Sequence, residues 1–127
     1  MTKTETPDTV LLVDIDGPVA TLTMNRPAKR NAMCDELLDA IDAFFSKPPE
    51  GVRVVILTGT AGHYCSGLDL SEHVARDAEG TMRHSRNWHR VMDVIQMSGL
   101  PVVSAMFGAV IGGGLELAAS THVRIAE

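Results

Sequence analysis

The chain has 127 residues, enough for one domain with a sizeable core, and its 45% apolar and 21% charged content argues against disorder. Its 11 basic and 16 acidic residues give a formal charge of -5, which leaves no basic stripe for a general nucleic-acid surface. Local basic clusters near Arg26 and Arg83 suit a single phosphorylated ligand instead. Cys34 and Cys65 are too few for a disulfide framework and match no zinc spacing, so they read as reduced thiols of a cytoplasmic protein.

Residues 1–9 read as an N-terminal tail, with neither the apolar core of a secretory signal nor the acid-poor composition of a transit peptide. The core is expected over residues 10–127. Val10–Ile15 and Val19–Met24 are predicted strands joined by a tight hairpin at Asp16-Gly17-Pro18. Arg26 to Asn31 is expected to be a polar loop, because Pro27 disfavours helix at the residue before it. A helix follows in which Leu37, Leu38, Ile41, Phe44 and Phe45 fall on one face, with Asp35 and Glu36 suiting its N-terminal dipole.

Lys47 to Gly51 is a connecting loop, and Arg53–Thr58 reads as a short buried strand of the composition that suits a parallel sheet. Gly59 to Gly67 is a glycine-containing loop. Trp88, Val91, Met92 and Ile95 define a second helix that closes at Gly99-Leu100-Pro101. Val102–Met106 is another buried strand, Gly112–Ser120 opens on glycines and continues as a helix, and His122–Ala126 begins a further strand. The fold class is therefore α/β. The last strand has nothing after it to cover it, so the domain is expected to be incomplete. Gly99 to Ala119 is nearly all apolar, but Pro101, three successive glycines and Glu116 interrupt it, which speaks against a membrane span.

Two loops hold the candidate chemistry. In Gly62-His63-Tyr64-Cys65-Ser66-Gly67-Leu68-Asp69-Leu70, a glycine just past a buried strand lets the backbone turn and present the N–H of Leu68. An ordinary strand-to-helix turn with Asp69 as its cap is the simpler alternative. In Phe107-Gly108-Ala109-Val110-Ile111-Gly112-Gly113-Gly114-Leu115-Glu116-Leu117, glycines at a helix start allow a ligand to approach unpaired amides at the positive end of the dipole. Glu116 lies about one turn after Gly112 and can share its face. Close helix packing and a surface glutamate are the alternatives. Three glycines weaken a helix by roughly 1 kcal/mol each relative to alanine, which favours a compensating role. The spacing is not that of a dinucleotide or P-loop fingerprint.

Taken together, these segments resemble the enoyl-CoA hydratase/isomerase (crotonase) superfamily. Tyr64 to Leu70 match its aromatic, small-residue, Gly-x-Asp-Leu loop, and Gly108 to Leu117 match its Gly-x-x-x-Gly-Gly-Gly-x-Glu-Leu loop. Asn25-Arg26-Pro27-Ala28-Lys29-Arg30-Asn31-Ala32 resembles its Asn-Arg-Pro…Asn-Ala segment. The likeness runs from about Val10 to the last residue, in the family's order and spacing. Phe107 stands where the family usually has Asn.

The resemblance implies a spiral of repeated β-β-α units, truncated here after the first half. It implies that the backbone N–H groups of Leu68 and Gly113 hold a thioester oxygen as it gains negative charge. Glu116 would be the first of two glutamates that handle the water added across a 2,3 double bond, the second lying beyond Glu127. A carboxylate does this best against apolar neighbours, expected here from Leu115 and Leu117. The CoA moiety would lie along Ala28, Lys29, Arg30 and the loop Ser66, Gly67, Leu68, Asp69, Leu70, with Gly112 and Gly113 also touching substrate. Lys29 and Arg30 could meet phosphates, or serve only as solvated surface charge.

Hydratase activity is the first expectation; isomerisation, thioester hydrolysis, decarboxylation, dehalogenation or non-catalytic acyl-CoA binding are the alternatives. No cofactor is implied beyond the CoA of the substrate, and no metal, nucleic acid or membrane. A homotrimer or hexamer is implied by resemblance alone. Among the remaining residues, His84 and His89 diverge on a helix and make a poor metal pair. His63, His73 and His122 read as loop or surface groups, Cys65 as packing, and Met82, Met92, Met97 and Met106 as core filler.

Overall fold

The alternation expected of half-buried strands is present along the second hairpin strand, where Ala20, Leu22 and Met24 are buried while Val19, Thr21 and Thr23 are only half-buried. The structure, a computed structural model, describes residues 2–3, 9–72 and 76–127. Its elements are β1 (Thr2–Lys3), β2 (Leu11–Asp16), β3 (Val19–Met24), α1 (Asp35–Ser46), β4 (Val54–Gly59), α2 (Ala78–Gln96), β5 (Val102–Met106), α3 (Gly113–Ala119) and β6 (Val123–Ala126). The strands form one six-stranded sheet in sequence order. β1, β2 and β3 pair antiparallel, and β3 to β6 pair parallel. Each parallel step is bridged by a helix, as parallel neighbours require.

One face of the sheet meets α1 and α2. Leu37, Leu38, Ile41, Phe44 and Phe45 from α1 join Trp88, Val91, Met92 and Ile95 from α2 over Leu22, Met24, Val55 and Leu57 in one apolar cluster. Each helix therefore buries the stripe that its periodicity predicts. The opposite face is less covered: register aligns Thr21, Ile56, Val103 and Val123 across it, from half-buried to exposed.

Four expectations need adjusting. Pro27 to Lys29 form a short 3-10 helix, not an open loop, because proline's fixed φ suits a first helical position. The restriction falls on Arg26, which is outside the helix with φ -127 and ψ 64. Met82 and Met97 are 55% and 78% exposed and fill no core. Met82 lies on the face of α2 away from Trp88 and Met92, and Met97 has passed the helix end. The backbone of Thr2 and Lys3 pairs with Ile15 and Asp14 inside the segment expected to be a tail. The apolar run Gly99 to Ala119 divides into β5, a loop and the seven-residue α3. Among the described residues no helix is long and apolar enough to cross a membrane.

Candidate active site

Past the end of β4 the chain becomes an extended ribbon held on both sides. On one side Tyr64 N–H donates to the Phe107 carbonyl (2.9 Å), Cys65 N–H to Ala109 (3.0 Å) and Ile111 N–H back to Cys65 (3.2 Å). On the other, Ser66 N–H donates to Arg30 (3.1 Å), Met33 N–H to Gly67 (2.7 Å) and Asp69 N–H to Met33 (2.9 Å). The pairing is parallel in both cases, Cys65 with Val110 and Met33 with Leu68. The two loops and the Arg26–Met33 segment thus form one backbone-bonded unit.

This arrangement sets the direction of one amide. The Gly67 carbonyl and the Asp69 N–H both face Met33, so alternation along an extended chain turns the Leu68 N–H to the opposite side. Gly113 is found there. A Cβ built on Gly67 would stand 3.6 Å from the Gly113 nitrogen, and one built on Gly113 would stand 3.5 Å from Leu68 Cδ2. Among the described residues neither N–H donates to a backbone carbonyl outside the regular elements.

The glycines serve separate ends. Gly67 has φ +107, which a side chain would strain, and its Cβ would approach the Ile111 carbonyl to 2.9 Å. Gly114 lets α3 rest on the ribbon: a Cβ there would meet the Cys65 carbonyl oxygen at 2.1 Å. Gly113 faces the Trp88 ring, whose nearest carbons lie 3.2 and 3.3 Å from the position of a Cβ. Close packing, one of the alternatives weighed for the glycine run, holds at Gly113 and Gly114, while Gly112 stands in open space.

Polar side chains hold the unit from behind. Asn31 is fully buried, donates Nδ2 to the carbonyls of Thr60 (3.1 Å) and His63 (2.7 Å), and accepts the Arg26 N–H at Oδ1 (2.8 Å). Arg26 in turn donates to the Asp69 carboxylate at 3.0 Å. Asp69 also accepts from the Ser71 hydroxyl (2.6 Å) and N–H (3.0 Å). The Ser71 hydroxyl first, and then Arg26, hold its carboxyl down at about 2. Asp69 is therefore both the cap of its turn and an ion-pair partner. Its side chain is spent within the protein, whereas the neighbouring Leu70 is 75% exposed.

Glu116 and Leu68 line a groove of about 280 Å³ whose other wall is α2, through Thr81, His84, Ser85, Trp88 and His89. The apolar wall beside Glu116 is not made by Leu115 and Leu117. Successive helix residues diverge by roughly 100°, so Leu117 enters the core and Leu115 lines a separate hollow with Met106 and Val110. Leu68 and Trp88 supply the apolar surface instead. Ala28, Lys29 and Arg30 are exposed beside the ribbon, with the Ser66 hydroxyl donating to the Lys29 carbonyl at 3.1 Å. The stretches expected to meet CoA are thus adjacent. Gly112 opens α3 with φ 54, and a Cβ there would meet nothing within 4 Å.

The α2 wall escaped sequence reasoning. Positions 81, 84, 85, 88 and 89 recur at i, i+3, i+4, i+7 and i+8, but their residues are mostly polar, so hydrophobic periodicity does not mark them. His63 is more than a loop group, since its Nδ1 accepts the Ala109 N–H at 2.9 Å and locks the second loop. His122 lies at the surface and accepts the Val102 N–H at 2.9 Å. Cys65 is buried, and burial pushes its thiol up, which suits packing over nucleophilic chemistry. His73 lies outside the described residues. Among the described residues no group of three or more His, Cys, Asp or Glu side chains could hold a metal.

Comparison with known proteins identifies the family and the fold. The family model for enoyl-CoA hydratase/isomerase matches residues 14–127. A solved structure from Rhodopseudomonas palustris CGA009, described as a "putative enoyl-CoA hydratase", is 49% identical with a TM-score of 0.88, covering 95% of this chain and 46% of its own. AtuE of Pseudomonas aeruginosa is 31% identical with a TM-score of 0.88, over 92% of this chain and 47% of its own. The enoyl-CoA hydratase EchA19 of Mycobacterium tuberculosis (strain ATCC 25618 / H37Rv) is 30% identical over 122 residues, 91% of this chain and 45% of that protein. With its parallel βα crossovers and two paired glycine-bearing loops, the chain shares the crotonase-type fold of these structures. The chain belongs to the enoyl-CoA hydratase/isomerase family, and it spans about half the length of the relatives it matches.

Proposed function

We propose that the protein binds a 2-enoyl-CoA thioester and takes part in adding water across its 2,3 double bond. The thioester oxygen would accept from the N–H groups of Leu68 and Gly113, residues that neighbour each other where the two loops meet. Glu116, on the wall of the adjoining groove, would take a proton from water as its oxygen bonds to C3. Electrons of the double bond would pass to the thioester oxygen as an enolate, and C2 would then receive a proton, so one water supplies both H and OH. Preorganised donors at a developing oxyanion contribute roughly 10²–10³ in rate. The CoA would run over Ala28, Lys29, Arg30 and the Ser66–Leu70 ribbon, with Gly112 leaving room for the acyl group.

The observation that supports this reading is the double backbone pairing that sets Leu68 beside Gly113, with Leu68 and Glu116 lining one groove. It needs no cofactor beyond the CoA that arrives with substrate. We take the protein to be cytoplasmic, because Cys34 and Cys65 are unpaired, and to self-associate as a trimer or hexamer. Crotonyl-CoA hydration is the test. Glu116→Gln should retain thioester binding while turnover falls about 100-fold or more, the scale of a lost general base. Equal turnover in the variant would remove Glu116 from the mechanism. Binding without turnover in the unmodified protein would leave an acyl-CoA-binding module.

A further inference from the structure

Resting on the acyl-CoA reading above, we infer that the groove selects acyl groups carrying an uncharged oxygen function, a hydroxyl or carbonyl, over plain alkyl chains. An acyl group whose thioester oxygen sits at Leu68 and Gly113 extends past Glu116 along α2. The wall it meets there offers Thr81, His84, Ser85, Trp88 and His89, at successive turns of one helix face. Four of the five present hydroxyl or imidazole groups, and Trp88, 5% exposed, forms the apolar floor.

An alkyl chain laid on this stripe would strip water from hydroxyls and imidazoles without replacing the hydrogen bonds. A hydroxyl or carbonyl restores them, and hydroxyls and imidazoles can each donate or accept. His84 is held from behind by Asp35, at 3.5 Å, which itself accepts from Arg76 at 2.8 Å. The stripe is therefore partly preorganised. An anionic substituent is disfavoured, because Glu116 lies on the opposite wall of the same groove.

Trp88 is the chain's one tryptophan, so its fluorescence reports occupancy of the groove directly. The unmodified protein is titrated with valeryl-CoA and with 4-hydroxybutyryl-CoA, which differ by a terminal methyl against a hydroxyl. The hydroxyl ligand should bind about fivefold tighter, the scale of one net hydrogen bond. In the Thr81→Val/Ser85→Ala double variant, both positions being exposed on α2, the ratio should fall towards one. Equal affinities in the unmodified protein, tighter binding of valeryl-CoA, or an unchanged ratio in the variant would overturn the selection while leaving acyl-CoA binding intact. If neither thioester perturbs Trp88 and calorimetry finds no binding, the acyl-CoA reading fails and this inference with it.

Discussion

The carboxylate of Asp69 lies between the Ser71 hydroxyl and the Arg26 guanidinium, and both favour its charged form. Its folded-state pKa, about 2, is below the ordinary 3.8. The stabilisation is therefore fully present above pH 4 and is lost as pH falls through the interval from about 4 to about 2. Urea midpoints measured across that interval should drop in the native protein, and Asp69→Asn should flatten the drop while lowering the midpoint at neutral pH. An unchanged acid limb in the variant would mean that other carboxylates govern it. The sequence marked Asp69 as a cap, but not as the partner of Arg26, because 43 residues separate them. The glycines divide the same way: their run was visible, the atom that each one faces was not. Gly114→Ala should cost about 3 kcal/mol, high in the range for overpacking, since its Cβ meets backbone at Cys65 that cannot rotate away. Gly112→Ala, with open space around it but φ 54, should carry backbone strain without the clash and lose less than Gly114→Ala when thermal melts of the two variants are compared.

Helices and strands were the most legible level, because α1 and α2 each bury one apolar stripe whose spacing shows in the sequence. The parallel pairing of loop to loop was not legible. It depends on backbone bonds between residues far apart in sequence, from Met33 with Gly67 to Cys65 with Ile111, which no local pattern encodes. The polar stripe of α2 was missed because its neighbour Glu116 arrives from a different helix. A further tie across elements joins the first loop to the sheet and α3: Tyr64 Oη and Ser104 Oγ lie 2.8 Å apart, Ser104 and Thr121 hydroxyls 2.9 Å apart, and Thr121 donates to Ala118. Burial pushes the Tyr64 phenol well above its usual range. Since Tyr64 is the only tyrosine, alkaline titration of ultraviolet absorbance should show no tyrosinate until the protein unfolds. Tyr64→Phe should lower stability by about 1 kcal/mol, the net worth of one hydrogen bond. A phenol that ionises at its ordinary pH in the folded protein would place Tyr64 at the surface instead.

At the scale of the molecule, one face of the sheet is covered by α1 and α2 while the other presents Ile56, Val103 and the exposed Val123 and Ile125. A 127-residue preparation should therefore bind a hydrophobic dye at neutral pH while retaining native far-ultraviolet dichroism, and Val123→Thr/Ile125→Thr should reduce the signal. No dye binding by the unmodified chain would show that face to be covered. The proposed chemistry depends on two peptide nitrogens serving one oxygen. Amide chemical shifts of nitrogen-15-labelled protein titrated with butyryl-CoA test that most directly. The account predicts that the Leu68 and Gly113 amides move downfield together and saturate at one ligand concentration. Saturable binding that leaves both signals in place, or moves one alone, would contradict it.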